Sequence, residues 1–250
     1  MTSDSVENEQ TILFISDLHL DASRPAITTL FLAFLRDIPN EVESLFILGD
    51  LFEAWIGDDL DDELTRQIAT GIRGVSERGV AVRFMRGNRD FLLGRNYCRQ
   101  AGMQLLPDAC VMDMGGIPTL LLHGDTLCTD DHAYQAFRQE VRDPAWIEGF
   151  LGKTLAERIA FAQQARAASQ QHQQQVGDVI TDVNGDEVAA TFRRYGIARI
   201  IHGHTHRPAI HPPSATCPGE RIVLGDWYEQ GSLLIVKDNG DVELKSLPII

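Results

Sequence analysis

The chain has 250 residues, 44% of them hydrophobic, with 22 basic against 36 acidic side chains and a formal net charge of −14. That length supports one substantial core with room for an inserted subdomain, and the acidic balance disfavours broad binding of nucleic acid, whose phosphates need a basic footprint. A polyphosphate substrate stays compatible, because bound divalent ions supply positive charge locally.

The N-terminal MTSDSVENEQ is polar and acidic, without the basic start and apolar run of a signal peptide. No apolar stretch approaches the roughly 20 residues that span a bilayer. The first strand-like run, TILFIS (11–16), passes into Asp17 and His19. ITTLFLAFLRDI (27–38) has helical periodicity, and SLFILG (44–49) is a second strand, running into Asp50. The acidic DDLDDE (58–63) reads as a solvated loop, with Asp58 the one residue there suited to support a metal ligand indirectly. A helix over LTRQIATGIRGVSERG (64–79) precedes the strand VAVRFM (80–85), which spills into RGNRDF (86–91). TLLL (119–122) leads into His123, and ARII (198–201) into His202, His204 and His206, after a helix over DEVAATFRRYG (186–196). Strand–helix alternation argues an α/β sheet protein with function beyond the carboxyl ends of the strands.

Residues 127–180 form a long helical insertion in a main body made of 1–126 and 181–250. Ile147, Leu151, Leu155 and Ile159 recur every four positions, with Trp146 and Phe150 alongside. Trp146, Phe150, Leu151 and Leu155 either line an apolar groove or form the insertion's own core. SQQHQQQVGD (169–178) reads as a solvated polar tail. RIVLGDW, GSLLIVKD and DVELKSL are strand-like, the last two joined across Asn239-Gly240, a strong hairpin signal. They predict a second, partly antiparallel sheet packed on the first. The four cysteines are scattered, with no CxxC pair, and read as reduced thiols of a cytosolic interior.

The residues just after five of these strands are Asp17 and His19, Asp50, Asn88, His123, then His204 and His206. They are expected at one end of one sheet. Asp17 and His19, two apart in extended chain, would project to the same side, as would His204 and His206. His202, between Ile201 and Gly203, reads as structural or as an orienting neighbour of a ligand. Carboxylate, amide and imidazole donors without thiolate suit Mn²⁺, Mg²⁺ or Fe better than a structural zinc cage. Seven ligands suit two ions, with Asp50 the bridging carboxylate. Such ions, about 3.5–4 Å apart, clamp phosphoryl oxygens and lower the pKa of a bound water, giving a metal-bound hydroxide as nucleophile.

DxH, GD, GN, HGD and GHTH, in this order over residues 17–206, resemble the calcineurin-like metallophosphoesterases. The resemblance implies an α/β/β/α sandwich with a helical cap insertion. It also implies that Asp17, His19, Asp50 and His206 hold one ion and Asp50, Asn88, His123 and His204 the other.

Many members of that family have a histidine after the asparagine, taken as the acid that protonates an alkoxide. Arg89 stands there. An arginine keeps its proton at any relevant pH, but it forks two hydrogen bonds onto a phosphate. A site without an acid suits a leaving phosphate, whose second pKa is about 6, and so favours a P–O–P bond. A merely structural Arg89–Asp90 ion pair is the alternative, and Asp90 is expected to hold Arg89 in place.

SDLHL, GDLFEAWIGDD, GNRDFLLG, HGDTLCTDD, DVN and IHGHTHRP are similar to the branch of the family in lipid A synthesis. That branch hydrolyses UDP-2,3-diacylglucosamine to UMP and 2,3-diacylglucosamine 1-phosphate, using Mn²⁺, at the cytoplasmic face of the inner membrane. The similarity implies a lipid-linked nucleotide sugar as substrate and a cap over its acyl chains. Asn88, Arg89, Asp131, Tyr134, Ser169 and His204 match substrate contacts of the branch. Gln173 and Val176 stand where several relatives carry an asparagine and a lysine; Gln173 keeps hydrogen-bonding capacity and Val176 does not. GDWYEQGS differs from the commoner histidine-bearing form of that turn. The other readings are a hydrolase of another nucleotide diphosphate or phosphodiester, and a non-catalytic scaffold, which has no need of all seven ligands.

Overall fold

Alternate side chains of the first strand enter two different cores, and this sets the layering. In β1 (Thr11–Ile15), Leu13 and Ile15 join one apolar cluster with Ile27, Phe31, Ile68 and Ile72 of the helices, whereas Phe14 joins Leu121, Ile201 and Ile222 of a facing sheet. Period-two alternation in a strand buried on both faces produces this division. The computed structural model describes residues 11–180 and 182–249, with backbone alone for 170 and 172–180.

After β1 come α1 (Pro25–Asp37), β2 (Val42–Leu48), α2 (Glu63–Glu77), β3 (Ala81–Met85), α3 (Arg95–Ala101) and β4 (Met103–Leu105). The hairpin β5 (Ala109–Met114) and β6 (Ile117–Leu122) precedes a 3-10 turn, Asp125–Leu127, and the helices α4 (His132–Val141), α5 (Pro144–Leu151) and α6 (Leu155–Ile180). The chain finishes with α7 (Gly185–Tyr195), β7 (Arg199–His202), β8 (Ala209–His211), β9 (Glu220–Val223), β10 (Gln230–Lys237) and β11 (Val242–Pro248). One sheet has the order β11-β10-β1-β2-β3-β4, the other β5-β6-β7-β9-β8. Helices α1 to α3 cover the first sheet, and Val188 and Phe192 of α7 pack with Leu120, Leu122 and Ile200 on the second. The result is an α/β/β/α sandwich.

Two expectations are corrected. The five ligand-bearing strands do not share a sheet: β1, β2 and β3 belong to the first, β6 and β7 to the second. The C-terminal strands also part company. β9 pairs with β7, while β10 and β11 extend the first sheet through antiparallel pairing of β10 with β1, Phe14 opposite Leu234. Apolar runs identify strands without identifying neighbours, so this pairing was not legible. The Asn239-Gly240 hairpin stands as expected, with Gly240 at φ 83°.

The insertion is three helices whose aromatic residues continue the main core: Phe150 is buried there, and Trp146, Ile147 and Phe161 pack against it. Its ends meet, as Asn184 N–H donates to Leu127 O at 2.8 Å. Leu151, Leu155 and Ile159 are exposed, so the four-residue stripe is not the buried face. The glutamine-rich tract is not a tail; α6 runs through it. The acidic stretch is likewise structural. Asp58 accepts from Gly94, Asn96 and Tyr97 N–H at the start of α3, Asp62 caps α2, and Asp59 pairs with Arg158 of α6.

Candidate metal centre and substrate cavity

Among the described residues, five non-glycine positions have left-handed φ: Asp17, His19, Asp50, His204 and His206. All five are candidate ligands. Side chains at such φ are strained, and the strain persists only where the surroundings over-determine it. This backbone, not an extended strand with period two, aims Asp17 with His19 and His204 with His206.

The resulting centre is buried at Asp17, His19, Asp50 and His123 and half-buried at Asn88, His204 and His206. His19 Nε2 and His206 Nε2 face each other at 3.3 Å, and Asp17 Oδ1 lies 3.9 and 3.4 Å from them. Asp50 Oδ2 is 3.7 Å from His19 Nε2 and 3.7 Å from His123 Nε2, the position of a bridging group. Asn88 Oδ1 stands 2.9 Å from both His123 Nε2 and His204 Nδ1. Two sets, Asp17–His19–His206 and Asp17–Asp50–His123, converge closely enough for a cation each.

One atom tests the fit. Asp17 Oδ2 accepts from Ser16 Oγ at 2.5 Å and His204 N–H at 2.9 Å, but the buried Oδ1 has no hydrogen-bond partner among the described residues. A buried carboxylate oxygen without a donor is costly, and a divalent cation held by Asp17, His19 and His206 would remove that cost. Burial alone would raise the Asp17 carboxyl, yet His206, with the charges of His123 and His19, holds it far below the usual range. Burial lowers an imidazole, but Asp50, Asp17 and Asp125 push His123 up to about 9. Burial and the charge of His123 bring His204 down to about 4.

Several supporting residues carry no signal in the apolar pattern. Asp90, fully buried, accepts from Leu51 N–H at 2.7 Å, Gly87 N–H at 2.8 Å and Asp50 N–H at 3.3 Å. It therefore ties the Asp50 loop to the Asn88 loop and does not hold Arg89, whose ion-pair partner is Glu53. The expected Arg89–Asp90 pair is thus replaced, because three buried amides compete for the carboxylate. Asp125 accepts from Tyr134 Oη at 2.6 Å and Arg138 Nε at 2.7 Å, which seats Tyr134 against the His204 ring. His202 is structural: Nδ1 meets Gly203 O, and Arg221 lies 3.2 Å from Nε2.

A cavity of about 490 Å³ opens above the centre. Asn88, Arg89, Asp131, Tyr134, Ser169 and His204 all line it. The side chain of Gln173 and that of Val176 lie outside the described residues. From α6, Phe161, Ala162, Ala165, Arg166 and Ser169 share one face at helical spacing, and the alanines leave the room. Trp146 and Phe150 stack at 4.8 Å and form the apolar wall with Phe91; Leu151 and Leu155 lie outside it, on the surface. The chamber thus joins a charged floor to an apolar wall.

Residues 10–208 match the family of calcineurin-like phosphoesterases. A Xanthomonas campestris pv. campestris protein named UDP-2,3-diacylglucosamine hydrolase is 58% identical over 240 residues, 92% of this chain and 96% of that protein. Proteins of the same name from Xanthomonas axonopodis pv. citri and Stenotrophomonas maltophilia are 57% and 56% identical with the same coverage. A hypothetical protein of Pyrococcus horikoshii aligns with TM-score 0.51 at 12% identity, over 96% of this chain and 88% of that one, a likeness of fold.

Proposed function

The chain belongs to the calcineurin-like phosphoesterases, and from that premise we propose that it hydrolyses the diphosphate bond of UDP-2,3-diacylglucosamine, yielding UMP and 2,3-diacylglucosamine 1-phosphate, in lipid A synthesis. The observation that carries the reading is a cavity whose floor, with Asn88, His204 and His206, adjoins the buried carboxylate and imidazole cluster and whose wall is aromatic. The names of relatives 56–58% identical over most of the chain support the same substrate.

Asp17, His19, Asp50 and His206 would hold one divalent ion and Asp50, Asn88, His123 and His204 the other, with manganese the proposed metal and magnesium or iron the alternatives. When bound, such a pair stabilises charge on the phosphoryl oxygens and acidifies a water. Arg89, at the cavity edge with its side chain 21% exposed, presents its guanidinium to the phosphate. No acid is required of the protein. Whichever phosphorus is attacked, water adds, one P–O bond breaks and a phosphate monoester departs with a second pKa of about 6. Tyr134 is not a proton source, because its hydroxyl is committed to Asp125 and burial raises its pKa further. Asp131, whose carboxylate caps α4, and Ser169 line the wall available to the sugar, with Gln173 one helical turn beyond Ser169. Trp146 and Phe150 bury acyl methylenes, each worth about 0.8 kcal/mol.

No helix among the described residues is long and apolar enough to cross a membrane; we place the chain in the cytoplasm, peripheral to the inner membrane that supplies the lipid. The test compares Mn²⁺-dependent release of UMP from UDP-2,3-diacylglucosamine with hydrolysis of an aryl phosphodiester. The lipid substrate is expected to be much the faster, and the reverse ranking sinks the proposal.

A further inference from the structure

Glu53, three residues beyond Asp50, is 6% exposed and sits where the metal centre meets the inserted helices. Its two oxygens are divided. Oε2 lies 3.3 Å from His19 Nδ1, a charge contact outside hydrogen-bond alignment, while Oε1 lies 3.3 Å from Arg166 Nε and 4.0 Å from Arg89 Nη1. One carboxylate thus faces two guanidiniums that hold their charge at any relevant pH, and all three side chains line the cavity.

Anchoring the helices does not explain Arg166. Its side chain is 42% exposed although its partner Glu53 is buried, so the ion pair engages only part of the guanidinium. Arg158, buried and bonded to Ile56 O and Asp59, is better placed for that role. Arg89 Nε, moreover, is buried without a hydrogen-bond partner among the described residues, a donor left over for a ligand.

We propose that Arg166 is a second phosphate-binding guanidinium, beside Arg89 at the cavity edge, and that Glu53 is a positioning residue which holds both arginines and braces His19. Glu53 by itself cannot neutralise both cations, and both guanidiniums line the cavity. Guanidiniums from the body and from α6 then contact the phosphate oxygens together. The inference rests on the phosphate-ester reading above and deepens it.

Calorimetry tests it in two arms: Mn²⁺ titrated into metal-free protein, and inorganic phosphate titrated into the Mn²⁺-loaded protein. Arg166→Gln should weaken phosphate binding about tenfold, with Mn²⁺ affinity unchanged. Glu53→Gln should lower Mn²⁺ affinity by roughly 10- to 100-fold, the effect of losing a ligand's carboxylate partner. Wild-type phosphate affinity in Arg166→Gln overturns the clamp, and wild-type Mn²⁺ affinity in a folded Glu53→Gln overturns the bracing of His19. Should Glu53→Gln not fold, Arg166→Gln, altered at a half-exposed side chain, still decides the clamp. Failure of the wild type to release UMP from the lipid substrate would count against the proposed function and leave both binding arms readable.

Discussion

Asn88 and His123 are the residues through which the two sheets meet at the proposed second ion. Asn88 Oδ1 is 2.9 Å from imidazole nitrogens of β6 and β7 loops at once, and His123 Nδ1 is fixed at 2.8 Å from Leu48 O. Asn88 lines the cavity and His123 is buried directly behind it, so Asn88→Ala and His123→Ala should each nearly abolish turnover while leaving the circular-dichroism melt cooperative. Full activity in either would break the ligand assignment. Asp90 makes the opposite prediction. Its carboxyl, pushed up to about 6 by burial and by Asp50, still accepts three backbone N–H groups. Asp90→Ala strands those donors, and at about 1–3 kcal/mol for each unsatisfied buried group a loss of roughly 3–5 kcal/mol is expected in urea denaturation, with activity falling because Asp50 moves. The packing there is close: a Cβ on Gly87 would stand 2.1 Å from Asp50 Oδ1.

At the scale of elements, α6 is both wall and strut. Its cavity face carries Ala162, Ala165 and Ser169, and Arg158, three residues before Phe161, reaches across to Ile56 O at 2.6 Å and to Asp59. Arg158→Ala should loosen the helix over the cavity. The expected result is a raised KM for UDP-2,3-diacylglucosamine and an unchanged rate on an aryl phosphodiester, which has no acyl chain to cover; equal losses on both would assign Arg158 to global stability instead. Periodicity located this helix but misjudged its faces. Ile147, Leu151, Leu155 and Ile159 fit a buried stripe, yet the last three are 39–43% exposed, because α5 ends at Leu151 and α6 starts afresh at Leu155. A stripe that crosses a helix break does not share a face.

Across the whole molecule, the net charge of −14 coexists with a centre built to receive cations. Asp17, Asp50, Glu53 and Asp125 are all buried near it, and among the described residues the cationic groups that face them are imidazoles and the guanidiniums of Arg89, Arg138 and Arg166. Divalent metal bound to the native state alone adds stability by mass action. Removing metal with a chelator should therefore lower the melting temperature, and added Mn²⁺ should restore it with a dependence on concentration. An insensitive melt would mean that the buried carboxylates are satisfied without metal.

The order Asp17, His19, Asp50, Asn88, His123, His204, His206 was readable in the sequence because each follows an apolar run, and burial of the runs leaves the polar residues after them at strand ends. Arg89 was readable for its chemistry, since no fold can give a guanidinium a transferable proton. Pairing and partnership were not readable. That β10 lies beside β1, that Asp90 serves three amides, and that Glu53 stands between His19 and Arg166 all depend on which distant segments meet. Apolar period determines which side chains are buried, but the three-dimensional competition among donors and charges decides what each buried polar group touches, and only the tertiary structure resolves that competition.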